Sequence, residues 1–156
     1  MIRILLLTLL FTPAAFAQAM GKGPVDITAQ QLDVQQKKGT AVFSGDVVVK
    51  QGEMTLTAPK VTATYGSKGG DIEAIEATGG VTITRPGQNG VTEKAVGTTA
   101  LYSPANGNMV MTGAVTLTRG PSQLSGDKLT YDLANGNARV TNSKGPVKAR
   151  FVPNAK

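Results

Sequence analysis

The chain has 156 residues, 16 Lys plus Arg against 10 Asp plus Glu, and a net charge of +6, with no His, Cys or Trp. Without His or Cys, His-based triads, Cys nucleophiles, disulfides and the usual zinc sites are excluded. A fold of this chain must be held by sheet and core alone, and its positive balance suits anionic polymer, lipid phosphate or nucleic acid as well as plain solubility.

The first segment is read as a cleavable leader. Met1 to Arg3 give a short positive start, and Ile4 to Phe11 is apolar except for Thr8. Ala15-Phe16-Ala17 is an A-x-A site, so residues 1–17 form a secretory signal peptide cut after Ala17. The apolar run is too short to span a bilayer. Residues 18–156 then form one domain outside the cytoplasm, with a charge of about +5 once Arg3 is lost; a retained membrane anchor is the competing reading of the leader.

From residue 27 a nine-residue frame appears, ITAQQLDVQ, and returns as LTAPKVTAT (56–64), AVGTTALYS (95–103) and LSGDKLTYD (124–132). Its first, third, sixth and eighth positions are small or apolar: Ile27, Ala29, Leu32 and Val34; Leu56, Ala58, Val61 and Ala63; Ala95, Gly97, Ala100 and Tyr102; Leu124, Gly126, Leu129 and Tyr131. Alternation within each half marks a strand with one buried face. The slip between halves predicts a bulge or bend at the fourth or fifth position.

A second frame follows each of the first three copies: AVFSGDVVVKQG (41–52), AIEATGGVTITRPG (74–87) and MVMTGAVTLTRG (109–120). Gly45, Gly79 and Gly113 recur at one interval in mid-strand, where Gly marks a bend. Odd positions face inward: Ala41, Phe43, Val47 and Val49; Ile75, Ala77, Val81 and Ile83; Met109, Met111, Val115 and Leu117. The fourth copy, NARVTNSKGPVKARF, carries Asn142 in place of the glycine, as a terminal cap does. Asn89-Gly90, Asn106-Gly107 and Asn135-Gly136 read as two-residue type I′ hairpin turns.

The expected fold is all-β: a β-jellyroll or roll of stacked antiparallel strands built from internal repeats, with both ends open and essentially no helix. The carboxylates are scattered and no phosphate-loop or nucleophile-elbow motif occurs. A two-carboxylate glycosidase on such a roll stays open as a rival. Few aromatics argue against sugar or nucleic-acid stacking platforms. Binding is therefore the expected chemistry, and the interior is the candidate site. Its lining is slender, and Met54, Met109 and Met111 add adaptable apolar surface. A plain packed core is the competing reading of the same residues.

The stretch ITAQQLDVQQKKGTAVFSGDVVVKQGEMTLTAPKVTA resembles the OstA-like family of periplasmic lipopolysaccharide-transport proteins. IEATGGVTIT, NMVMTGAVTLTRG and LSGDKLTYDLANGNARV fit the same pattern, so the resemblance covers about residues 25 to 151. It implies a jellyroll that holds lipid A acyl chains between its layers, with the saccharide outside. It implies a bridge carrying lipopolysaccharide from inner to outer membrane, with no catalysis and no cofactor. Its partners would be an LptC-like inner-membrane protein, an LptD-like outer-membrane protein and further copies of itself, joined head to tail by strand pairing. The interior residues expected to meet lipid are Leu32, Val34, Phe43, Val47, Val49, Met54, Leu56, Val61, Ile75, Val81, Ile83, Tyr102, Met109, Met111, Val115, Leu117, Leu129 and Tyr131. Arg139, Lys144, Lys148 and Arg150 near the C-terminus would meet lipid phosphate or an acidic partner edge, or simply face solvent. A structural or adhesive β-solenoid with a dry core is the alternative.

Overall fold

The structure, a computed structural model, describes residues 23–66 and 70–153. The leader and its cleavage site lie outside the described residues. Ten strands form one antiparallel sheet: β1 (Asp26–Thr28), β2 (Gln31–Gln35), β3 (Thr40–Gln51), β4 (Met54–Tyr65), β5 (Ile72–Pro86), β6 (Thr92–Ser103), β7 (Asn108–Arg119), β8 (Ser122–Asp132), β9 (Asn137–Thr141) and β10 (Lys148–Arg150). The helical content of the described residues is two three-residue 3-10 turns, Gln36–Lys38 and Gln88–Gly90. Strands β3 to β8 pair in chain order, because tight turns deliver each strand beside its predecessor. The two ends differ from this pattern. Both β1 and β2 pair with β3, and both β9 and β10 pair with β8.

The long strands all shift register at one place. Gly45-Asp46, Gly79-Gly80 and Gly113-Ala114 each put two left-handed residues into the ladder. The pairing skips from Ser44 to Val47, from Thr78 to Val81 and from Thr112 to Val115 on these strands. Opposite them stands a single residue, Pro59, Thr98 or Asp127, at the fourth position of the nine-residue frame. The bulge thus falls level with the expected slip, but its extra residue belongs to the glycine-bearing strand. Bulges bend a strand and raise its twist. Aligned from β3 to β8, they make a fold line across the sheet. The sheet closes over it into two facing layers, the jellyroll expected from the repeats.

Side chains from both layers meet in one core. Val47, Val49, Val61, Ile75, Val81, Met111, Val115 and Leu129 are fully buried within it. Each such aliphatic side chain contributes roughly 1.5–3 kcal/mol by leaving water. Phe43 and Leu117 are partly buried against the same cluster.

Three expectations need correction. Leu32 and Val34, expected inside, are 52% and 62% exposed, and Ala29, in the gap between β1 and β2, is exposed too. Register places Leu32 beside Phe43 and Val34 beside Ala41, so alternation gave the right face. But among the described residues β2 pairs with β3 alone, at the end of the sheet, and its face is left open. The Asn106-Gly107 and Asn135-Gly136 turns are not two-residue hairpins. Ser103 pairs with Asn108 and Asp132 with Asn137, leaving four-residue loops in which Gly107 and Gly136 are left-handed. In the first loop the Gly107 amide donates to the Ser103 carbonyl, and in the second Asp132 accepts from the Ala134 and Asn135 amides. These local bonds favour the wider loop. Asn89-Gly90 is not a two-residue hairpin either: Pro86 pairs with Thr92 and the loop closes through the Gly87 amide and the Val91 carbonyl, although both residues have positive φ.

Candidate functional site

The candidate site is the space between the layers. Of the eighteen expected lining residues, fourteen are buried: Val47, Val49, Met54, Leu56, Val61, Ile75, Val81, Ile83, Tyr102, Met109, Met111, Val115, Leu129 and Tyr131. Phe43 and Leu117 flank them, while Leu32 and Val34 extend the same face to the open N-terminal edge. Alternation holds at the test pair on β7. Met111 is buried while its neighbour Thr112 is exposed and hydrogen-bonds Thr99 at 2.6 Å.

The lining is slender, as expected, but it is closed up. A void of about 20 Å³ remains, lined by Ile83, Arg85, Glu93, Ala95, Met109, Leu117, Leu129, Tyr131 and Leu133. Preformed ligand pockets measure roughly 300–1,000 Å³. This space is far smaller, because the small side chains let the two layers pack closely around it.

Two polar clasps cross between the layers, both close to the hairpin ends and away from the fold line. In one, the Tyr102 hydroxyl donates to Gln51 Oε1, and Gln51 Nε2 donates to the Gly23 carbonyl at 3.1 Å. Burial pushes the Tyr102 phenol pKa up, since the phenolate would be poorly solvated there. In the other, Glu93 Oε2 accepts from Arg85 Nε and from the Tyr131 hydroxyl, each at 2.8 Å. Arg85 Nη2 also lies 2.8 Å from Glu93 Oε2, and Arg119 Nε lies 3.7 Å from Oε1. The Arg85 guanidinium sits 4.4 Å from the Tyr131 ring centroid, a cation–π contact. Sequence reasoning identified the two tyrosines as interior but missed Gln51, Arg85 and Glu93. The odd-position rule of β5, continued past Ile83, pointed to Arg85.

The C-terminal basic residues are dispersed. Arg139, Lys144, Lys148 and Arg150 are all exposed. Nearby, Asp127 accepts from the Ser143 amide at 2.8 Å and from its hydroxyl at 2.5 Å. Those bonds hold the Asp127 pKa below the ordinary carboxylate value.

Known proteins share this architecture and sequence. A family model described as LptA/(LptD N-terminal domain) LPS transport protein matches residues 26–145. The lipopolysaccharide export system protein LptH of Pseudomonas aeruginosa is 31% identical over 111 residues, which is 70% of this chain and 63% of that protein. The lipopolysaccharide export system protein LptA of Escherichia coli K12 is 27% identical over 123 residues, 78% of this chain and 66% of that one. The crystal structure of Pseudomonas aeruginosa LptH, described as a periplasmic component of the lipopolysaccharide transport device, superposes with a TM-score of 0.76 at 22% identity. The match covers 86% of this chain and 99% of that one, so the folds agree over the matched residues.

Proposed function

The chain belongs to the LptA/LptD N-terminal-domain family of lipopolysaccharide-transport proteins, and from that premise we propose that it is a periplasmic bridge that carries lipopolysaccharide from inner to outer membrane. Residues 18–156 act as one domain after the leader is removed at Ala17. Among the described residues no helix is long and apolar enough to cross a membrane. Acyl chains pass between the two layers while the saccharide stays in water. The protein's part is binding and hand-over, without catalysis.

The observation that carries this reading is the inward apolar face. It runs unbroken from β3 to β8 and is continued at one end by exposed Leu32 and Val34. Unpaired sheet edges invite strand addition. β2 at one end and β9 with β10 at the other are the surfaces for an LptC-like partner, an LptD-like partner or another copy. Joined in register, such rolls present one continuous apolar path.

A photo-crosslinking side chain tests the path. At Met111, Phe43 or Ile83 it should trap lipopolysaccharide, and at Thr112, Ser44 or Thr84 it should not. Equal trapping from the two faces, or none from either in folded protein, rejects the groove. The closed interior, with its void of about 20 Å³, favours the dry-core solenoid as the second reading. Mass spectrometry of protein purified from the periplasm separates the two, since a dry core retains no acylated lipid.

A further inference from the structure

The second clasp stands at a boundary. On its inner side lies the apolar void beneath Met109 and Leu129. On its outer side lies a cleft of about 540 Å³ between the β5–β6 loop, the β7–β8 turn and the C-terminal segment at Phe151. Glu93 and Tyr131 line both spaces. Within the cleft wall the charged residues are Glu93 and Arg119, while Arg85 stands behind Glu93 against the void. The side chains of Arg85 and Glu93 are only 10% and 13% exposed. Burying such a pair costs desolvation that well-packed apolar residues would avoid, so stability does not account for it.

We propose that this clasp is an anion subsite, in which Arg85 and Arg119 take the phosphate of an amphiphile whose chain enters between the layers, and Glu93 is the counter-charge that the phosphate displaces. The proposal rests on the lipid-carrier reading and gives it a point of head-group recognition. Guanidinium groups suit phosphate because their forked N–H donors match two oxygens at once. Two arginines face one carboxylate here. Stacking on the Tyr131 ring fixes the plane of the Arg85 fork. The charged cluster stands where an open, mostly apolar cleft, walled by Val91, Leu117, Leu124 and Phe151, meets the apolar void within.

Displacement has a mechanical result. Glu93 belongs to the β6 half that lies in one layer, and Tyr131 to the β8 half in the other, so their 2.8 Å bond ties the layers together. A phosphate that displaces Glu93 from the arginines moves the carboxylate that accepts from Tyr131, and so weakens that tie. Head-group binding thereby loosens the layers where the chain must enter.

Calorimetry at low ionic strength tests the subsite with dodecyl phosphate and dodecyl maltoside, each below its micelle concentration, and with inorganic phosphate. The expected result is that dodecyl phosphate binds about tenfold or more tightly than the neutral amphiphile of equal chain length. Arg85→Met should cut that ratio by about tenfold, and Glu93→Gln should raise it. If Arg85→Met does not fold, Arg119→Met, on a half-exposed side chain, carries the same expectation. A ratio unchanged in a folded arginine variant overturns the proposal. So does inorganic phosphate binding as tightly as dodecyl phosphate, because the site would then serve a free anion. Crosslinking at Met111 keeps the two readings apart. Lipopolysaccharide trapped there with an unchanged ratio removes the subsite alone, whereas none trapped removes the carrier reading beneath it.

Discussion

Tyr102 makes a long-range polar link in the core, since its partner Gln51 comes from a strand three hairpins earlier. Removing the hydroxyl in Tyr102→Phe leaves Gln51 Oε1 with one donor fewer in a buried place. The expected loss is about 1–3 kcal/mol, read as a lower denaturant midpoint. The raised phenol pKa adds a pH signature. Folding favours the neutral phenol, so its contribution is full below the unfolded tyrosine pKa and is lost as pH rises through the higher folded value. Stability of the parent protein should therefore decline at alkaline pH more steeply than that of Tyr102→Phe. At the interior wall, Met111→Asp gives up roughly 1.5–3 kcal/mol of burial and adds a buried carboxylate. Thr112→Asp, one position away and exposed, should stay within about 0.5 kcal/mol of the parent in the same unfolding experiment.

At the scale of the element, the paired left-handed residues at the fold line decide the shape. Gly113 has φ +84°, and a Cβ there would lie 2.3 Å from Thr98 Oγ1. Gly113→Ala should cost about 1–3 kcal/mol, from left-handed strain and from displacing Thr98. Its neighbour Ala114 already sits at φ 48°. Ala114→Gly relieves strain, so the thermal midpoint should hold or rise while Gly113→Ala lowers it. The last hairpin is tuned by Asp127 instead. Its folded pKa is depressed by the Ser143 bonds, so the support it gives is present above the unfolded carboxylate pKa and is lost as pH falls through the folded value. The protection factor of the Ser143 amide should fall over that acidic range while the β5 and β6 amides keep theirs.

Strands and inward faces were legible because alternation and the slip are local properties of the chain. Val81, Met111 and Leu129 follow from counting alone. What covers a face is not local. Leu32 and Val34 obey the alternation and are still exposed, because the roll ends there. The Tyr131–Glu93 and Tyr102–Gln51 pairs depend on two strands meeting across the fold line, 38 and 51 residues apart in sequence, which no periodicity encodes. Leu133 escaped notice for a related reason. It lies just past the end of β8, yet folds back into the core beside the void.

At the scale of the molecule, the exposed apolar edge makes end-to-end association testable. Leu32→Lys with Val34→Lys alters side chains that are more than half exposed. The monomer's stability should move by no more than about 0.5 kcal/mol for each change. Sedimentation should nevertheless show weaker concentration-dependent association, because lysines on an edge strand repel an incoming strand. Association unchanged in the double variant would place the contact elsewhere.

The chain-order pairing of β3 to β8 also bears on how the protein comes into being. A strand that pairs with its predecessor needs only a short loop to close, so the entropy of closure stays small at every step. An unfolded chain emerging from an export channel, N-terminus first, can add one hairpin arm at a time to an edge already formed. Assembly of this kind grows from one end, as in other quasi-one-dimensional repeats. The newest strand is then the growing apolar edge, and the next dozen residues out of the channel are the ones that cover it.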